Sequence, residues 1–264
     1  MTETPPKPVP IPSATLLLLR DGADGLEVFM VKRHHQIDFA SGALVFPGGK
    51  LAKGDGDPDL RDHCDGAQGL CDTELGLRAC AIREGFEESG ILLARPAGCP
   101  VMAGNETSSR LQDWRPRLDR GDAGLTEFAT AASIRLACDA LVPFARWITP
   151  PFMPKRFDTY FYLAAAPYGQ LGSHDGREGV DSVWTTPARA IAEKDRWTVI
   201  FPTRMNLLKL AQSKTAAEAI AAAQATEVVT VEPKVVQKNG KPVLTLPPDA
   251  GYGVIEEPID SIRG

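Results

Sequence analysis

Arg83, Glu84, Glu87 and Glu88 crowd one short stretch of the chain. On a helix turning about 100° per residue, Glu87, Glu84 and Glu88 fall near 140°, 200° and 240° from Ile82, an arc of about 100°. Carboxylates three and four residues apart repel one another, by a few tenths of a kcal/mol per pair on an exposed helix. Taken alone, such a face reads most simply as a solvated acidic surface. A hard divalent cation reverses the sign, because Mg2+ takes oxygen ligands and is held by a few carboxylates together with substrate phosphates. Upstream, Phe46-Pro47-Gly48-Gly49-Lys50 places two glycines in a turn, where the backbone is open to a ligand.

The elements that must position these groups are read from apolar spacing. Leu75, Ala79, Ile82 and Phe86 share the other side of a helix over 73–89 and predict that it packs on a sheet. Asp72 or Thr73 is the expected N-cap and Gly90 the left-handed C-terminal cap. Residues 13–20 and 26–33 are apolar on either side of Asp21-Gly22 and Asp24-Gly25, predicting two strands and a short turn. Leu44 to Phe46 is a strand running into the glycine turn. Residues 52–72 hold Asp55, Asp57, Asp59, Asp62, Asp65 and Asp72 among glycines, and read as an inserted, solvated acidic loop. An EF-hand is excluded there, since no glutamate stands at the twelfth position from Asp55. One or two helices fit 106–142, broken near Gly121. Strands are expected at 144–149, 157–164 and 180–184, and helices at 187–193, 203–212 and 215–225. Asn239-Gly240 suits a type I′ hairpin turn, and Pro242 would confine the second hairpin strand to an edge. The expected organisation is an extended, disordered lead-in over 1–12 and one domain over 13–264. That domain carries the insertion at about 52–72 and a helical and hairpin extension from about 200.

The 264 residues carry a net charge of −5, with 43% hydrophobic and 24% charged residues, which is ordinary for a globular domain. No basic run offers the clustered cations that nucleic-acid binding needs. No apolar run reaches the length of a membrane span. The five cysteines form no Cys-x-x-Cys pair, which fits free thiols in a reducing, cytoplasmic setting. The C-terminal Ile262-Arg263-Gly264 is not a peroxisomal signal of the Ser-Lys-Leu type. His63, Cys64 and Cys71 supply only three zinc ligands at an unfamiliar spacing. Trp147, Phe152 and Tyr160 suit core packing better than stacking on a base.

Arg83-Glu84-Gly85-Phe86-Glu87-Glu88-Ser89-Gly90-Ile91 resembles the second half of the Nudix box, G-x5-E-x7-R-E-U-x-E-E-x-G-U with U bulky and apolar, and Phe46 to Lys50 resembles the strand and turn that open it. The first U position is the small Gly85. The stretch after Gly49 is longer than the box by roughly twenty residues, counted against that pattern. Counting back from Arg83, the first box glutamate falls at Leu75, and Glu74 beside it is the expected substitute. An interrupted box resembles the branch of the Nudix hydrolase superfamily that includes a peroxisomal coenzyme A diphosphatase. So do the segments LRACAIREGFEESGILLARP and RWITPPFMPKRFDTYFYLA, Glu178 ahead of Trp184, and LPPDAGY. The resemblance runs from about residue 13 to 252. Arg33, Ile37, Ser41, Gly42 and Phe46 match a further coenzyme A motif, while Asp38, Ala40 and Ala43 depart from it.

The resemblance implies an α/β/α sandwich with a mixed central sheet. It implies that Glu84, Glu87, Glu88 and the Gly48 carbonyl ligate Mg2+ or Mn2+, and that Arg83 orients a glutamate. Glu84 and Glu178 are the candidate general bases. Arg33, Lys50 and Arg156 are the candidates to meet substrate phosphates. The substrate implied is a small nucleotide diphosphate derivative, coenzyme A or acyl-coenzyme A first. ADP-ribose, a dinucleotide or a nucleoside triphosphate is the alternative, and a homodimer the candidate assembly. A catalytically silent nucleotide-binding module is the reading from another class, against which the complete Glu84, Glu87, Glu88 set argues.

Overall fold

Leu16, Leu17, Leu18 and Leu19 are all fully buried, although a strand turns successive side chains to opposite faces. A strand with this pattern must be covered on both sides. In the computed structural model, which describes residues 8–33, 42–173 and 179–259, it is β1 (Ile11–Gly22), which turns through Ala23 and Asp24 into β2 (Gly25–Arg33). Then come β3 (Leu44–Val45), β4 (Gly48–Lys50), β5 (Cys64–Asp65) and the long helix α1 (Asp72–Ser89). Next are β6 (Ala94–Pro96), α2 (Asn105–Arg110), α3 (Arg115–Asp119), α4 (Leu125–Ala132), β7 (Ile134–Ala137), β8 (Val142–Ile148), β9 (Phe157–Ala165) and β10 (Gly179–Thr185). The C-terminal part adds α5 (Pro187–Ala192), α6 (Phe201–Leu210), α7 (Ala216–Gln224), β11 (Thr230–Val231), β12 (Lys234–Lys238), β13 (Lys241–Thr245) and β14 (Glu256–Pro258).

The central sheet runs β10–β2–β1–β9–β8–β11, with β3 beside β2 and β4 beside β1. It is mixed: β1 pairs parallel with β9 and β11 with β8, and the other neighbours are antiparallel. Leu16 and Leu18 face one core with Leu75, Ile82 and Phe86 of α1; Leu17 and Leu19 face another with Met205, Leu207 and Ala219 of α6 and α7. Helices therefore cover both sheet faces, giving the expected α/β/α layering. Among the described residues no helix is long and apolar enough to cross a membrane.

Gly85 explains its own departure from a bulky position. A Cβ there would stand 2.5 Å from Leu16 Cδ2, so glycine lets α1 settle onto β1. Gly90 ends α1 at φ 70°, as its sequence position requires. The N-cap is Cys71 rather than Asp72 or Thr73, and Glu74 returns to accept from the Cys71 amide at 3.0 Å.

Several expectations are corrected. Residues 52–72 are not a structureless solvated loop. Two short 3-10 turns, Lys53–Gly56 and Pro58–His63, lead into β5, and Asp55, Leu60, Cys64 and Ala67 are buried. The excursion also closes on itself: a Cβ built at Gly76 would lie 3.5 Å from Asp55 O and 3.6 Å from Gly56 Cα. The helical spacing over 106–142 stops at Ser133, because Ile134 to Ala137 pair with β5 and β6 in a small second sheet. Ile11 and Pro12 belong to β1 rather than to a lead-in. Asn239 and Gly240 do take positive φ in the β12–β13 turn, but β13 is central in its three-stranded sheet. Pro242 is tolerated because the β13–β14 ladder begins only at Val243.

Candidate functional site

The last half of α1 lies against β4, because β4 is zipped to the start of β1 at Thr15↔Gly48 and α1 is seated on β1 through Gly85. This brings the glycine turn to the glutamates. The Gly48 amide donates to Glu88 Oε2 at 3.2 Å. A Cβ at Gly49 would fall 2.3 Å from Glu84 Oε1, so any side chain there would displace that carboxylate.

Arg83 is the hub. Its Nε and Nη2 donate to the two oxygens of Asp55 at 2.7 and 2.9 Å, a bidentate pair. Nη1 donates to Glu84 Oε1 at 2.8 Å and Glu87 Oε2 at 3.0 Å, and Nη2 also reaches Lys50 O at 3.0 Å. Asp55 is 1% exposed. It is the residue that reading the sequence passed over, and its signal was present: five residues separate it from Gly49, the spacing the box gives its first acid. Counting back from Arg83 missed it, because 28 positions separate the pair. Glu74, the substitute expected instead, is exposed and caps its own helix.

Three carboxylates, Asp55, Glu84 and Glu87, bond to one buried guanidinium, and Glu88 in the same helical turn accepts from the Gly48 amide. Burial is the main cause that pushes the Glu87 carboxyl up to about 8; the charges of Glu84 and Asp119 add to it, against the pull of Arg83. Burial opposes the charge on Arg83, yet the Asp55 bond and the neighbouring carboxylates outweigh it and hold the guanidinium protonated. Glu87 Oε1 is buried without a hydrogen-bond partner, a costly state for a carboxylate oxygen. Among the described residues no three His, Cys, Asp or Glu side chains are already grouped as an ion's ligands; the acids turn toward Arg83 and Gly48 instead. The donors themselves, carboxylate oxygens with one left unsatisfied, fit a hard divalent cation.

The other candidates divide. Lys50 is exposed beside the turn, and its carbonyl serves Arg83. Arg156 is 8% exposed and donates to Thr149 O, Pro8 O and Glu232. Asp158 pairs with Arg146, not with Arg156. Glu178, the Arg33 side chain and the motif positions at 34–41 lie outside the described residues. Trp147 is core, bonded through Nε1 to Tyr252 at 2.6 Å, whereas Phe152 is 56% exposed. His63 meets Thr130, and Cys64 and Cys71 differ in burial, so no zinc group forms there among the described residues.

Residues 61–206, more than half of the chain, match the family model described as the NUDT19 Nudix domain. The chain belongs to the NUDT19 Nudix domain family. Among relatives of this Nudix domain is the acyl-coenzyme A diphosphatase NUDT19 of Xenopus laevis, 26% identical over 206 residues, which are 63% of this chain and 54% of that protein. The Homo sapiens protein of the same description is 26% identical over 207 residues, 64% of this chain and 55% of that one. The chain thus spans about half the length of the curated relatives it matches. A solved Nudix hydrolase from Alicyclobacillus acidocaldarius superposes with a TM-score of 0.66 at 25% identity, over 81% of this chain and 96% of its own.

Proposed function

We propose that this Nudix chain hydrolyses the diphosphate linkage of a nucleoside diphosphate derivative, with Mg2+ or Mn2+ held by Glu84, Glu87, Glu88 and the Gly48 carbonyl. The observation that carries it is the buried Glu87 Oε1, without a hydrogen-bond partner among the described residues, in the same helical turn as the Glu88 that accepts from the Gly48 amide. Bound there, the cation would neutralise the diphosphate and lower the pKa of a bound water. The chain supplies the rest. Asp55 fixes Arg83, and Arg83 in turn holds Glu84 and Glu87 in place. Glu84 or Glu178 takes the proton from the attacking water. Lys50 and Arg33 meet the phosphates.

Coenzyme A or acyl-coenzyme A is the first substrate in this reading, supported by the relatives described as acyl-coenzyme A diphosphatases. Water would add across the P–O–P bridge to give a 4′-phosphopantetheine fragment and adenosine 3′,5′-bisphosphate. Asp38, Ala40 and Ala43, which depart from the coenzyme A motif, favour a second reading in which ADP-ribose, a dinucleotide or a nucleoside triphosphate is cleaved. The test is a panel of these diphosphates with Mg2+ and with Mn2+, products identified by chromatography. Cleavage of coenzyme A with at least tenfold the kcat/KM of ADP-ribose, about 1.4 kcal/mol of transition-state preference, supports the first reading. Nucleotide binding without turnover on any of them would sink both.

A further inference from the structure

The last turn of α1 has an electrostatic deficit that its own sequence leaves unmet. Glu87 and Glu88 stand at the negative end of the helix dipole, and the turn contains no basic residue. Its final carbonyls also lack partners within the helix. Both needs are met by other elements. Arg115, the first residue of α3, donates from Nε to Glu87 O at 3.0 Å, from Nη1 to Gln112 Oε1 at 3.0 Å and from Nη2 to Ser173 O at 3.0 Å. Ser108 Oγ and Gln112 Nε2 donate to Gly90 O at 2.8 and 3.2 Å, and the Ser173 amide donates to Ser89 O at 2.7 Å. Arg115 thus joins the carboxylate turn to the helical segment before α4 and to the chain after β9. Its bond to Glu87 is made to the main chain, not to the carboxylate.

We infer that Arg115 is a positioning residue for the cation site: through the Glu87 carbonyl it fixes the turn that carries Glu87 and Glu88, and its positive charge offsets their placement at the dipole's negative end. The inference rests on the proposal that these glutamates hold a divalent cation. Groups that orient ligands without touching the metal commonly change affinity or activity by about 10- to 100-fold. A purely structural arginine would change only the melting temperature.

The experiment uses the full chain and its Arg115→Ala, Arg115→Lys and Glu87→Gln variants. Mn2+ binding is followed by titration calorimetry, and melting is measured without metal. The expected result is Mn2+ affinity weakened about tenfold or more in R115A, with the fold retained. R115K, which keeps the charge on a single donor nitrogen but loses the planar fork, should fall between R115A and the parent. A Mn2+ affinity within about twofold of the parent in R115A, with only the melting point lowered, overturns the inference; if R115A does not fold, the same criterion applied to R115K decides. Failure of the functional reading looks different. There the parent and E87Q bind Mn2+ equally poorly, and the role given to Arg115 falls with it.

Discussion

Burial raises the Glu87 carboxyl to about 8, so in the cation-free chain the folded state holds a proton there that the unfolded chain has released. Between the ordinary carboxylate value of about 4 and about 8, the folded state binds more protons, and stability must fall as pH rises. Glu87→Gln removes that titration. Without metal, E87Q should therefore melt at or above the parent, with the gap widening from pH 5 to 8; a parent that stays level across that range contradicts the burial argument. Saturating Mn2+ should reverse the order, because only the parent gains binding energy on folding. The same variant should lose about a hundredfold or more in kcat on whichever diphosphate is cleaved, which steady-state kinetics can check. Asp55 gives the complementary case. Asp55→Asn strips the bidentate partner from a buried guanidinium, and breaking such a pair costs about 3–5 kcal/mol. Urea unfolding of D55N should show a loss of that order, and a loss below about 1 kcal/mol would mean that Glu84 and Glu87 suffice to hold Arg83.

At the scale of elements, α1 is set by its approach to β1. Gly85→Ala gains helix propensity of about 1 kcal/mol but drives a methyl toward Leu16, which is fully buried and has nowhere to swing. Overpacking of this kind costs about 1–3 kcal/mol, so the expected net change is destabilising. Leu16→Val should relieve part of it, giving a double variant more stable than the summed single effects. The strands, α1 and its glycine cap were legible in the sequence because local spacing governs them: Leu75, Ala79, Ile82 and Phe86 all face the core as their register demands. The helical stretch after Asn105 was legible only in part. Its apolar spacing is helical, yet Ile134 to Ala137 became a strand through pairing with distant residues of β5 and β6, which no local pattern reports. The carboxylate set was readable from one turn of helix. Asp55 and Arg115 were not assigned, since each reaches the site from an element far away in the chain, and the bonds of Arg156 to Pro8 and Glu232 were not legible because those partners lie far from it in the sequence.

Across the molecule, the 52–72 stretch is tied down by charge as well as by its apolar residues. Arg135 donates to Asp65 at 2.6 Å, Arg95 donates to the same carboxylate at 3.0 Å, and Arg95 also grips Asp139. Burial pushes the Asp65 carboxyl up, but the bonds from Arg135 and Arg95 outweigh it and hold it below the usual carboxylate range. A depressed folded value means stability that is present above about pH 4 and lost as pH falls through that folded value. Asp65→Asn should flatten the acid limb of a melting-temperature profile between pH 5 and 2, and an unchanged limb would assign acid sensitivity to other carboxylates. The excursion that holds Asp65 leaves and rejoins the chain at one place, where Gly76 backs onto Asp55 and Gly56. Stretching the acid-to-arginine spacing from about eight residues to 28 adds only about 1 kcal/mol of closure entropy, and burying Leu60 alone returns a comparable amount. Chain length at that point is therefore nearly neutral, free to drift while the ion pair it spans keeps its geometry. Searches that demand a fixed interval between those two residues will pass over proteins built around the same pair.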